Sequence, residues 1–170
     1  MKLSMVAAAI LAISCGTTTT PGGNPGQTPT CSLTVTGGPA AGTYNCEPAT
    51  TVWASSNNTG GFGFTVSAAD LTVAIGWTGE PTGGMHVTTS SAGVQGGVSL
   101  TSGSGASTQV WGADIQNGGG VQGSFDLYFS GISANFSTTN GKAYTADGTL
   151  SATLVPLTGQ SGNVTVSVTF

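Results

Sequence analysis

From Cys31 to Phe170 the chain alternates apolar and polar residues with a period of two, the pattern of half-buried strands. Phe62, Phe64 and Val66 are separated by Gly63 and Thr65, and Leu71, Val73, Ile75 and Trp77 by Thr72, Ala74 and Gly76. Phe125, Leu127 and Phe129 alternate with Ser124, Asp126, Tyr128 and Ser130, and Leu150, Ala152 and Leu154 with Ser151 and Thr153. Val164, Val166, Val168 and Phe170 alternate with Thr165, Ser167 and Thr169. Weaker strands are predicted near residues 50–54, 84–89, 94–101, 107–115 and 142–147. Turn signals stand between them: Asn57-Asn58-Thr59-Gly60, Glu80-Pro81, Asn117-Gly118 and Asn140-Gly141, with Asp147-Gly148 as a further turn. No window has a helical period. About ten short strands with one apolar face each predict two packed antiparallel sheets. The expected fold is an all-β antiparallel β-sandwich with jelly-roll or immunoglobulin-like strand order.

The first unit fixes a register. With Gly38-Pro39 at the centre of a turn, Val35 faces Gly42, Leu33 faces Tyr44 and Cys31 faces Cys46. These six share one face, while Ser32, Thr34, Thr36, Thr43, Asn45 and Glu47 take the other. One register thus satisfies both the apolar pattern and a Cys31–Cys46 disulfide in a β-hairpin.

The N-terminus reads as an address. Met1-Lys2 is basic, and residues 5–13 are wholly apolar, the length of a secretory signal's apolar region and too short to span a bilayer as a helix. The run Leu11-Ala12-Ile13-Ser14-Cys15-Gly16 resembles the lipobox of bacterial lipoprotein precursors. The resemblance implies cleavage before Cys15 and a diacylglycerol on its thiol. Gly16, in place of a retaining Asp, implies outer-membrane residence. Acyl chains at Cys15 would anchor the protein to the lipid bilayer, each buried methylene contributing about 0.8 kcal/mol. Lipidation of Cys15 leaves Cys31 and Cys46 as one pair, and an exported destination permits their disulfide. Residues 16–30, GTTTTPGGNPGQTPT, hold no charge and no large apolar residue, so they read as a flexible tether. The expected division is residues 1–14 signal peptide, 15–30 lipidated Cys and linker, and 31–170 β domain.

Phe170 and the valines before it also resemble the C-terminal strand of outer-membrane β-barrels. Against a barrel, the aromatics do not flank every strand in pairs, and the polar face offers almost no charge for a wet lumen.

Composition narrows the function classes. Lys+Arg number 2, Asp+Glu 6 and His 1, and there is no Arg. Clustered cations for nucleic acid or phosphate are absent, so nucleic-acid binding is excluded. The polar load rests on 28 Thr, 19 Ser and 29 Gly. Loss of residues 1–14 would leave Lys142 as the one basic residue.

Catalytic patterns are sparse. His86 lies between Met85 and Val87 and is expected to face solvent, and no G-x-S-x-G elbow is present. The glutamates available to a glycan hydrolase are Glu47 and Glu80, neither in a glycanase motif. Asp114, Asp126 and Asp147, read in or near loops, lack calcium-loop spacing, and no metal or cofactor is expected. Binding suits the composition better. Asp126 and Tyr128 share the outward face of one strand and are candidate ligand contacts. Trp111, whose face the pattern leaves undecided, is a third, while Trp77 belongs to the inward set. The sequence therefore predicts a non-catalytic structural or interaction module at the outer membrane, its partner an envelope protein or a neutral polysaccharide. The alternatives are a carbohydrate-binding module at the cell surface, a glycan hydrolase and a β-barrel.

Overall fold

The computed structural model describes residues 31–46, 51–56, 59–91, 96–114, 123–138 and 141–170, with the backbone alone described for 51–56 and 59–60. The signal, the lipobox with Cys15, the tether, Glu47, Asn57-Asn58, Asn117-Gly118 and Asn140 lie outside the described residues, as does the side chain of Trp53.

The chain is all-β and antiparallel. Its strands are β1 (Ser32–Thr36), β2 (Gly42–Asn45), β3 (Thr51–Ser56), β4 (Thr59–Ala68), β5 (Leu71–Thr78) and β6 (His86–Thr88). They continue with β7 (Gly96–Ser102), β8 (Gln109–Asp114), β9 (Ser124–Thr138), β10 (Gly141–Pro156) and β11 (Val164–Thr169). One 3-10 turn, Gly105–Ser107, interrupts them. The order is β2-β1-β11-β10-β3-β4-β5-β7-β8, with β9 on β10 and β6 on β9.

The two predicted sheets are joined as one continuous sheet that folds over on itself. On one side β10 pairs with β9 and then, at Val155 and Pro156, with β8. On its other side it pairs with β3 through residues 141–144 and with β11 through 149–154. The pairing of β8 with β10 nearly closes the structure into a barrel-like sandwich.

The sequence reading divides β10 at Asp147-Gly148, but the strand runs through that dipeptide. The register with β9 shifts between Asp147 and Gly148. This is a β-bulge, which bends a strand without ending it. Gly148 has a packing reason to be there: a Cβ would lie 2.1 Å from the Tyr128 carbonyl oxygen and 2.9 Å from the Phe170 ring.

The first hairpin has the expected register. Val35 pairs with Gly42, Leu33 with Tyr44 and Ser32 with Asn45. Cys31 and Cys46 are disulfide-bonded and buried. Gly37 and Gly38 take positive φ (83° and 68°), which lets the loop reverse, and the Tyr44 hydroxyl donates to the Ala40 carbonyl at 3.0 Å.

The inward side chains form one core. Phe62 of β4 lies 4.0 Å from Trp77 of β5, ring centre to ring centre. Across the layers Phe64 meets Phe170 at 4.5 Å, and Trp77 meets Phe129 at 5.7 Å. Phe170 is therefore a core residue. Apolar groups point in and hydroxyls point out, the reverse of the lipid-facing exterior of a membrane barrel.

Candidate binding surface

The outward residues of β6, β9, β10, β11, β1 and β2 align across the strands. One row pairs His86, Tyr128, Thr149, Thr169, Ser32 and Asn45 in succession. The next pairs Thr88, Asp126, Ser151, Ser167, Thr34 and Thr43. A third pairs Ser124, Thr153, Thr165 and Thr36. All are exposed or half-buried. Strand geometry sets rows about 6.8 Å apart and neighbours within a row about 4.8 Å apart.

Apart from His86 and Asp126, this terrace is neutral and mostly hydroxylic. Thr34 and Thr43 bond each other at 3.2 Å, and Thr88 bonds Ser90 and Ser91. Among the described residues, the other Ser and Thr hydroxyls of these rows bond nothing in the protein. They face water with both donor and acceptor capacity open.

The terrace ends in a step at β9. Tyr128 is half-buried and its ring stacks on His86, with centres 4.5 Å apart and planes 30° apart. His86 Nδ1 lies 3.2 Å from Asp126 Oδ1, and each side chain is 57% exposed. A polar contact this open contributes only about 0–1 kcal/mol to stability. Its physical effect is to fix the imidazole against one face of Tyr128. The other face looks toward β10, where the register partner is the small Thr149. A shallow open groove of about 330 Å³ results, lined by His86, Asp126, Tyr128, Thr149, Ser151 and Ser167, with Leu150 at its base.

The sequence candidates fare differently. Asp126 and Tyr128 do share the outward face of β9 and line the groove. Trp111 does not join them. It is fully buried, and its indole N–H donates to the Gly162 carbonyl at 3.1 Å. β8 turns this residue inward to fill the core under the β10–β11 connection, so Trp111 is removed from the ligand set. Asp126 and Asp147 lie within strands rather than loops, and Asp114 ends β8. His86 faces solvent as expected, but it belongs to the groove. Thr149, Ser151 and Ser167 were legible only as the polar phase of their strands. Their assembly depends on pairings between strands far apart in sequence.

The groove resembles half of a catalytic triad, since an Asp orients the imidazole. Among the described residues, however, no hydroxyl hydrogen-bonds the ring, and Tyr128 stands between His86 and Thr149 in the row. Glu80 is engaged elsewhere. It follows β5 and accepts hydrogen bonds from Lys142 Nζ at 2.6 Å and from the Tyr144 hydroxyl. The Lys142 bond, with help from Tyr144, holds the Glu80 carboxyl below its ordinary pKa. Burial, reinforced by Glu80, pushes Tyr144 up to about 12. Glu80 thus clasps the β5–β6 connection to the start of β10, facing a cation and a phenol rather than a second carboxylate. Among the described residues no group of three or more His, Cys, Asp or Glu could hold a metal ion.

No known protein family matches this sequence, and neither a curated protein nor a solved structure does.

Proposed function

We propose that this chain is a non-catalytic recognition module whose working surface is the hydroxyl terrace and its Tyr128 step, and that it binds neutral polysaccharide. The observation that carries this reading is the open face of Tyr128 beside Asp126, at the edge of a terrace of unengaged Ser and Thr. Sugar rings present an apolar C–H face, which suits an aromatic platform, and a rim of hydroxyls, which suits neutral donors and acceptors. The Asp126 carboxylate can accept two sugar hydroxyls at once. Low charge fits a neutral ligand, since no steering field is needed. The lipobox-like segment supports placing the module at the outer membrane, held by acyl chains on Cys15 and spaced from the bilayer by residues 16–30.

The test is retention on a panel of immobilised neutral polysaccharides. Wild-type protein is expected to be retained by at least one, and Tyr128→Ala to elute with the void. Absence of retention on every member of the panel would reject the reading.

A second reading, an envelope protein as partner, is favoured by one observation. Beyond the β6 pairing, the outer edge of β9 from Gly131 to Thr138 has no partner strand among the described residues, and Phe136 there is 63% exposed. Such an edge can accept an added strand. Copurification of one envelope protein, lost in Phe136→Lys and kept in Tyr128→Ala, would favour this reading over the first.

A further inference from the structure

The geometry points to an internal stretch of a linear neutral polysaccharide as the occupant of the groove, with its chain running parallel to β10. This rests on the carbohydrate reading above and adds the direction and length of the ligand. Tyr128 stacks on His86 across the strands, which stands both rings edge-on to the sheet. A sugar ring on the open face of Tyr128 takes the third place in that stack, over Thr149. The axis of a linear glycan lies close to the mean plane of its rings. Here that plane contains the strand direction, so the chain follows β10. The next outward groups on that path are Ser151 and Thr153, both exposed, with Asp126 on the β9 side beside Ser151.

Neither end of the path is walled. Beside Thr153 stand Ser124 and Thr165, no larger than the floor itself, and past it the next residue in phase is the half-buried Val155, opposite Gly112. At the other end the next outward residue is the exposed Asp147, whose partner Gly131 brings no side chain. A groove open at both ends admits the interior of a chain and does not select its terminus. From Thr149 to Thr153 the floor runs about 14 Å, the length of roughly three linked sugar rings.

Calorimetric titration with size-graded neutral oligosaccharides tests this. The set comprises glucose, xylose, mannose and N-acetylglucosamine series, each from monosaccharide to hexasaccharide. For the series that binds, Kd is expected to fall about tenfold or more from mono- to trisaccharide and then level off. Thr153→Arg, at an exposed position on the path, is expected to remove that gain. Thr165→Arg repeats the block from the neighbouring strand, with circular dichroism confirming that both variants fold. A Kd independent of chain length, or a full gain retained in both variants, overturns the inference while the carbohydrate reading stands. If no sugar binds at all, both fall together.

Discussion

Gly148 and Phe170 exchange both backbone hydrogen bonds: the Gly148 N–H donates to the Phe170 carbonyl at 2.8 Å, and the Phe170 N–H donates to the Gly148 carbonyl at 3.1 Å. The pair joins β10, opposite the β9 bulge at Ser130, to the residue that follows β11, and it places the Phe170 ring against Phe64 and Phe129. Gly148→Val must force apart the Tyr128 carbonyl and the Phe170 ring. The expected cost is about 1–3 kcal/mol, typical of overpacking a filled site. Urea unfolding monitored by tryptophan fluorescence measures it. An unchanged midpoint would show that the close approach at the bulge carries no weight.

The Cys31–Cys46 disulfide closes a loop with a sequence separation of 15. In the chain-entropy account a cross-link of this size contributes about 3 kcal/mol, mostly by restricting the unfolded chain. Reduction, or the double variant Cys31→Ala/Cys46→Ala, is expected to lower the melting temperature without altering the far-ultraviolet spectrum at room temperature. A melting curve insensitive to reductant would contradict this.

The Glu80–Lys142–Tyr144 clasp predicts stability limits at both ends of the pH range. Glu80 has its pKa lowered in the folded state, so its contribution is present above the ordinary value of 4.5 and is lost as pH falls through the folded value. Because the pair is well exposed, that contribution is about 0–1 kcal/mol after solvent screening. Tyr144 is raised from 10.0 to about 12, so its contribution is full below pH 10 and disappears as pH rises toward 12. Urea midpoints measured across pH should decline in both windows. Glu80→Gln should flatten the acid limb, and Tyr144→Phe the alkaline one. Identical limbs in the variants would mean that other groups set the limits.

If Cys15 carries the anchor, intact-mass analysis of the membrane fraction is expected to find a chain that starts at Cys15 and bears acyl groups. Cys15→Ser should release the protein into the soluble fraction. An unmodified Cys15, or soluble wild-type material cut elsewhere, would reject the anchor.

What could be read from the sequence depended on how many constraints met at a position. The β1–β2 register was legible because apolar alternation and two cysteines demanded the same pairing. Asp147-Gly148 misled because a bulge and a turn draw on the same residues: glycine serves close packing at one and backbone reversal at the other. Trp111 was undecidable because Val110 and Gly112 flank it without a polar contrast. Asp126 and Tyr128 could be placed on one face by local alternation alone. Their neighbours in the groove come from β6, β10 and β11, whose pairings are long-range and leave no local trace.

The sharing of β10 among four partner strands has a consequence for how the protein is made. Residues 141–156 border β9, β3, β11 and β8, so neither layer acquires its connecting strand until those residues have been synthesised. Earlier segments can form the β1–β2 hairpin, marginal alone in water, and the meander β3-β4-β5-β7-β8, but neither has the opposite layer to cover its apolar face. Contacts this distant in sequence also slow folding. The two layers are therefore locked to each other only when β10 takes its place, in a single late step that commits all four neighbours at once.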